Sequence, residues 1–172
     1  HCWGDGGGGA TYVSADLPPV QYVSAGDDLT CIIDDEGDVQ CWGSPFHGQA
    51  EVPSNLPPTT HLDAAGTTHI CALHTTGQAT CWGDGFFGET IVPGPADMNG
   101  FIDISAGTQY TCLVEHGGAV QCWGSQYTSA PRVPSNLGPA VLVETGAAHA
   151  CALLESGHVR CWGSASQVRP PW

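Results

Sequence analysis

Residues 63–83 read DAAGTTHICALHTTGQATCWG, and this stretch decides the fold. Cys71 and Cys81 are separated by nine residues, with Gly77 between them. If the two cysteines face each other across an antiparallel pair, 73 pairs with 79 and 74 with 78. Thr75, Thr76 and Gly77 then remain as a three-residue loop. Such loops are built from a type I turn followed by a residue in the left-handed region, where glycine is favoured. Cysteine spacing and turn chemistry therefore select one register independently.

The same unit recurs along the 172-residue chain. Cys31 and Cys41, Cys112 and Cys122, and Cys151 and Cys161 repeat the spacing, with Gly37, Gly118 and Gly157 as the third loop residues. Cys-Trp-Gly occurs at 2–4, 41–43, 81–83, 122–124 and 161–163, at intervals of 39, 40, 41 and 39. A glycine stands five residues before each leading cysteine: Gly26, Gly66, Gly107 and Gly146. The connectors echo one another as VPSNLPP at 52–58 and VPSNLGP at 133–139. The pattern predicts about four and a half repeats of about forty residues in a single array over 1–172, with approximate repeats 1–20 (partial), 21–60, 61–101, 102–140 and 141–172.

Side chains alternate along a strand, so one hairpin face carries both cysteines with Ile33 and Val39, or their apolar equivalents. The other carries Ile32, Gln40 and Trp42. Two faces that both call for burial imply small antiparallel sheets packed between similar sheets, as stacked blades are. Opposed cysteines at non-hydrogen-bonded positions lie within disulfide range, and each short loop so closed gains about 2–3 kcal/mol. Zinc sites present ligands two to four residues apart, and no pair of cysteines here does so. Disulfides at 31–41, 71–81, 112–122 and 151–161 point to an oxidising compartment, extracellular or at the cell surface. Cys2 is left unpaired or intermolecular.

The formal net charge is −14, from 17 acids against Arg132, Arg160 and Arg169. That balance speaks against nucleic acid and anionic lipid as partners. No run of about twenty apolar residues is present, so no membrane insertion is expected.

DAAGTTHICALHTTGQATCWG at 63–83 and DISAGTQYTCLVEHGGAVQCWG at 103–124 resemble the regulator of chromosome condensation repeat, as does the Gly-Gln turn before Val-Pro in HGQAEVP at 47–53. The resemblance covers essentially the whole chain and looks closest to a cysteine-containing branch of secreted bacterial proteins. It implies a β-propeller, commonly of seven blades, with the Ala-Gly strands on the inner side and the Gly-Gln loops on one rim. The eukaryotic founder is a nucleotide exchange factor that binds chromatin, and another relative is a secreted propeller that inhibits a β-lactamase. The fourth copy departs with Thr145-Gly146, and 125–132 has lost the Gly-Gln turn. Because Cys2 has no partner upstream, the chain reads as a section of a longer repeat protein.

The acids Asp34, Asp35, Glu36 and Asp38 raise calcium, but read first as a solvated hairpin tip. His69 and His149 share a repeat position that Leu29 and Tyr110 fill elsewhere, which favours packing over chemistry. His74, His116 and His158 are expected exposed near hairpin tips, and Asp63 and Asp103 are taken as repeat equivalents near the inner strands. Tryptophans recurring once per repeat favour core packing over a sugar-stacking platform. No G-x-S-x-G, phosphate-loop or HExxH motif occurs, so no catalytic residue, cofactor or metal site is expected. The expected function is a secreted or cell-surface structural and protein-interaction scaffold that presents propeller loops, as part of an assembly or filament. A carbohydrate- or calcium-dependent adhesin module is the alternative.

Overall fold

The computed structural model describes residues 1–4, 7–44, 46–66, 68–94, 100–127 and 130–164. The described residues are all-β apart from a short 3-10 turn at Gly7–Gly9. Four three-stranded antiparallel sheets follow one another as blades. Blade 1 holds β1 (Val20–Ala25), β2 (Leu29–Asp34) and β3 (Val39–Gly43), and blade 2 holds β4 (Thr59–Asp63), β5 (His69–His74) and β6 (Ala79–Gly83). Blade 3 holds β7 (Phe101–Ala106), β8 (Tyr110–Glu115) and β9 (Val120–Gly124), and blade 4 holds β10 (Ala140–Thr145), β11 (His149–Leu154) and β12 (Val159–Gly163). In every blade the strands lie in sequence order. The described residues form an open arc and no closed ring.

The hairpin register is the one that the cysteine spacing implies. Cys31 pairs with Cys41, Cys71 with Cys81, Cys112 with Cys122 and Cys151 with Cys161, with Cα–Cα distances of 4.0–4.1 Å. Disulfides join all four pairs, and Cys2 is free and exposed. Gly37, Gly77, Gly118 and Gly157 have φ of 87°, 75°, 80° and 80°. Their amides donate to Asp34, His74, Glu115 and Leu154, which closes each turn.

Both faces of each internal blade are buried. The cysteine face of one blade packs on the tryptophan face of the next. Leu29, Cys31 and Ile33 meet Leu62, Ile70 and Trp82; Cys71 and Leu73 meet Ile104, Leu113 and Trp123; Cys112 and Val114 meet Val143, Ala152 and Trp162. Each indole donates to a carbonyl of the connector that precedes its blade: Trp42 to Ala10, Trp82 to Gln49, Trp123 to Glu89 and Trp162 to Ala130, at 2.8–3.0 Å. An otherwise orphaned buried N–H is thereby satisfied. The tryptophans of the four blades are packing residues, whereas Trp3 is exposed.

The first strands β1, β4, β7 and β10 converge at the hub, each bent by a register shift near its start. Polar side chains tie them together in chain order. Ser24 Oγ accepts the Ala64 amide (3.0 Å), Asp63 Oδ2 accepts the Ala106 amide (2.8 Å), and Ser105 Oγ accepts the Thr145 amide (3.1 Å). Gly26 belongs to this contact, since a Cβ there would meet the Ala64 carbonyl at 2.3 Å.

Here one expectation fails. Asp63 and Asp103 are not equivalent: Asp63 sits opposite Cys71, as Ser105 sits opposite Cys112, while Asp103 sits opposite Val114, as His61 sits opposite Leu73. Blade 2 carries one extra residue between that position and its glycine, DAAG against SAG, which shifts the alignment by one. His74 is a second correction. It ends β5 opposite Thr59 and is buried between Thr59 Oγ1 (3.3 Å) and Thr80 Oγ1 (2.8 Å), whereas His116 and His158 are exposed.

Candidate interaction surface

The closing Gly of each hairpin leads to one rim of the arc. There Ser44, Asp84, Ser125 and Ser164 donate their amides to Asp28, Thr68, Gln109 and Ala148, pinning each loop to the turn between the first two strands. The loops then bend at Gly48 (φ 71°) and Gly88 (φ 79°). Gln49 Oε1 accepts the His47 amide and Glu89 Oε2 accepts the Phe87 amide, so the loop folds on its own side chain. Such a loop turns its tip residue outward.

That residue is aromatic in three successive repeats. Phe46, Phe86 and Tyr127 each stand five residues after a Cys-Trp-Gly cysteine and are 87%, 82% and 88% exposed. Phe87 bridges two of them edge to face, with ring centroids 5.0 Å from Phe86 and 6.0 Å from Tyr127. His47 and Asp84 (3.8 Å) link the loops of blades 1 and 2. Asp27 and Asp28 border a cavity of about 230 Å³ beside Phe46, which Ser44 and His47 also line. Large aromatics left in water in a row are uncommon on a surface and mark contact with something else. The reading of the sequence missed this row, although aligning the repeats on Cys-Trp-Gly exposes it.

The acids at the opposite rim act differently. Asp34, Glu36 and Asp38 place carboxylate oxygens within 4.8 Å of one another. Asp34, however, is buried rather than solvated, and its Oδ1 accepts the Glu36 and Asp38 amides at 3.0 and 2.9 Å. It serves the turn. Asp35 is exposed and stands outside the group. Arg169 lies outside the described residues.

At the hub, Tyr22, His61 and Asp103 form a line of contacts at 3.5 and 3.6 Å across blades 1, 2 and 3. Burial raises the pKa of Asp103, against the opposing effect of the Val143 amide donated to its Oδ2 (2.7 Å). Glu144 is raised by burial and by the neighbouring Asp63 and Asp103. Buried His69 is pushed down to about 4 by desolvation. Thr111 donates its hydroxyl to the Glu89 carbonyl, so it can only accept from His69 Nε2–H (2.8 Å), and Nδ1 is left as a bare acceptor. These groups couple blades, and His69 and His74 are both buried and hydrogen-bonded to threonine hydroxyls.

The regulator of chromosome condensation (RCC1) repeat matches residues 20–49, 64–89 and 140–167. These three stretches are RCC1-like repeats. Solved structures agree on the fold. The entire ectodomain of the receptor kinase CR4 from Physcomitrella patens matches with a TM-score of 0.74 at 21% identity, over 94% of this chain and 47% of that one. The CRINKLY WD40 ectodomain of the Arabidopsis thaliana receptor kinase ACR4 gives 0.68 at 22%, over 85% and 57%. Prp20p from Saccharomyces cerevisiae gives 0.76 at 17%, over 87% and 46%. This RCC1-like chain thus spans about half the length of these structures. No curated protein matches it. Among the described residues no helix is long and apolar enough to cross a membrane.

Proposed function

We propose that this RCC1-like array is an extracellular protein-interaction scaffold whose partner binds the loop rim. The observation that carries this reading is the exposed row Phe46, Phe86 and Tyr127, repeated at one position in three blades. Aromatic side chains are enriched where proteins anchor partners, and they lose little rotamer freedom on binding. Asp27, Asp28 and Asp84 flank the row and favour a partner that brings apolar groups with basic ones. Four disulfides support an oxidising compartment, in keeping with the secreted bacterial branch that the sequence resembles. The ectodomain neighbours support the same placement, and Prp20p was solved together with its binding properties to Gsp1p and histones.

Affinity purification from the source organism tests the reading with two variants. Phe46→Ser/Phe86→Ser/Tyr127→Ser is expected to lose a partner that wild type and the opposite-rim variant Asp35→Ser/Glu36→Ser both keep. Equal retention by all three overturns it. Calcium-dependent binding on a glycan array, abolished by Asp34→Asn/Asp38→Asn, would instead favour the adhesin reading.

A further inference from the structure

Asp27 and Asp28 stand side by side in the turn between β1 and β2, and both are exposed. The fold has no need of their charges. The turn is pinned through the Asp28 carbonyl, which accepts the Ser44 amide at 2.8 Å, and the Thr68, Gln109 and Ala148 carbonyls make the same contact at 2.9 Å in the other blades. Thr67-Thr68, Thr108-Gln109 and Ala147-Ala148 fill the place of the pair there, and all are neutral. The ion pairs among the described residues join His47 to Asp84 and His61 to Asp103, so neither carboxylate of this turn is matched by a cation there. Asp34 differs, since its carboxylate holds its own turn.

The pair borders the cavity of about 230 Å³, which Phe46, Gln49 and Gly66 also line. The cavity lies on the covered side of blade 1, where Leu29 packs on blade 2, so its walls belong to one internal junction. Phe46 is 87% exposed and leaves its ring uncovered beside the carboxylates. Gln49 is only 5% exposed; its Oε1 accepts the His47 amide at 2.9 Å and keeps a second lone pair for a further donor.

We propose that this cavity receives one arginine side chain of the protein partner, an inference that rests on the loop-rim reading above and names what the partner inserts. A guanidinium is planar, permanently charged and carries five N–H donors. It can stack on the Phe46 ring while its donors meet the two carboxylates and the Gln49 oxygen. The cavity is smaller than the roughly 300–1,000 Å³ of pockets that take a whole small molecule, which fits a single side chain. The net charge of −14 draws a basic partner toward the chain, and the unmatched acid pair fixes where one of its charges goes.

The test titrates N-acetyl-arginine amide into the isotope-labelled chain and follows backbone amide chemical shifts. The expected result is a saturating shift of the Asp28, Phe46 and Gly66 amides. N-acetyl-citrulline amide, the uncharged counterpart, should bind at least about tenfold more weakly. Asp27→Thr/Asp28→Thr copies the residues of blade 2 and should keep the fold by circular dichroism, yet weaken the arginine compound at least about tenfold. Asp35→Ser/Glu36→Ser removes two charges at the opposite rim and should leave its binding within about twofold, because distant exposed charges are screened. No saturating shift, equal binding of the citrulline compound, or equal weakening by the two double variants overturns the proposal. Partner loss by Phe46→Ser/Phe86→Ser/Tyr127→Ser, with the cavity amides unmoved by the arginine compound, strikes this inference and leaves the rim reading standing.

Discussion

Gly118 and Gly157 have the same φ of 80° and differ only in what surrounds them. A Cβ on Gly118 would meet Pro139 Cβ at 2.7 Å, while one on Gly157 meets nothing within 4 Å. Gly157→Ala should therefore cost about 1 kcal/mol, the left-handed strain alone, and Gly118→Ala about 2–4 kcal/mol, because backbone and proline must also shift. Denaturant melts of the two variants check this, and equal costs would refute the blade contact. His69 gives a second prediction. Its folded pKa, about 4, lies below the ordinary 6.5, so between those values the unfolded chain binds a proton that the folded chain refuses. Stability at this site is complete above pH 6.5 and is lost as pH falls toward 4. Asp103 and Glu144, whose values are raised, act in the opposite direction. Comparing wild type with His69→Leu isolates the histidine: the variant should lose less stability between pH 7 and pH 5, by about 1–2 kcal/mol. Leu29 already fills the same place in blade 1.

Among elements, the hairpins share one design but not one environment. Cys112 is fully buried in the junction between blades 3 and 4, whereas Cys161 faces outward at the open end. Removing the bridge with Cys151→Ala/Cys161→Ala should cost about 2–3 kcal/mol, the loop-closure contribution. Cys112→Ala/Cys122→Ala should cost about 1–2 kcal/mol more, since buried sulfur contacts are lost as well. Thermal or urea unfolding under non-reducing conditions measures both. The register of these hairpins was readable from the spacing of cysteine and glycine, because strand pairing over ten residues is a local matter. The place of Asp63 was not. One extra alanine in the DAAG stretch displaces it, and only pairing with Cys71 reveals the shift.

At the scale of the whole molecule, stability is a sum of blades and junctions, as in other stacked repeats. Blades 2 and 3 each have two covered faces, and blades 1 and 4 have one. Amide hydrogen exchange should find β5 and β8 the slowest and β12 the fastest. Uniform protection across all four blades would show a single cooperative unit instead.

By themselves the residues determined the repeat, the hairpin register, the four disulfides and the alternation of a cysteine face with a tryptophan face. Each of these follows from chain neighbours within about a dozen positions, where strand periodicity and turn geometry act directly. Tertiary structure alone decided what joins one repeat to the next. The hub acceptors bind amides some forty residues away, Ser24 with Ala64 and Asp103 with Val143. His74 is buried because Thr59, fifteen positions earlier, pairs with it. The aromatic row becomes a surface only when three loops are brought to one rim. Long-range packing sets which polar side chain finds a partner and which apolar one is left in water, and that selection is where the candidate interaction surfaces lie.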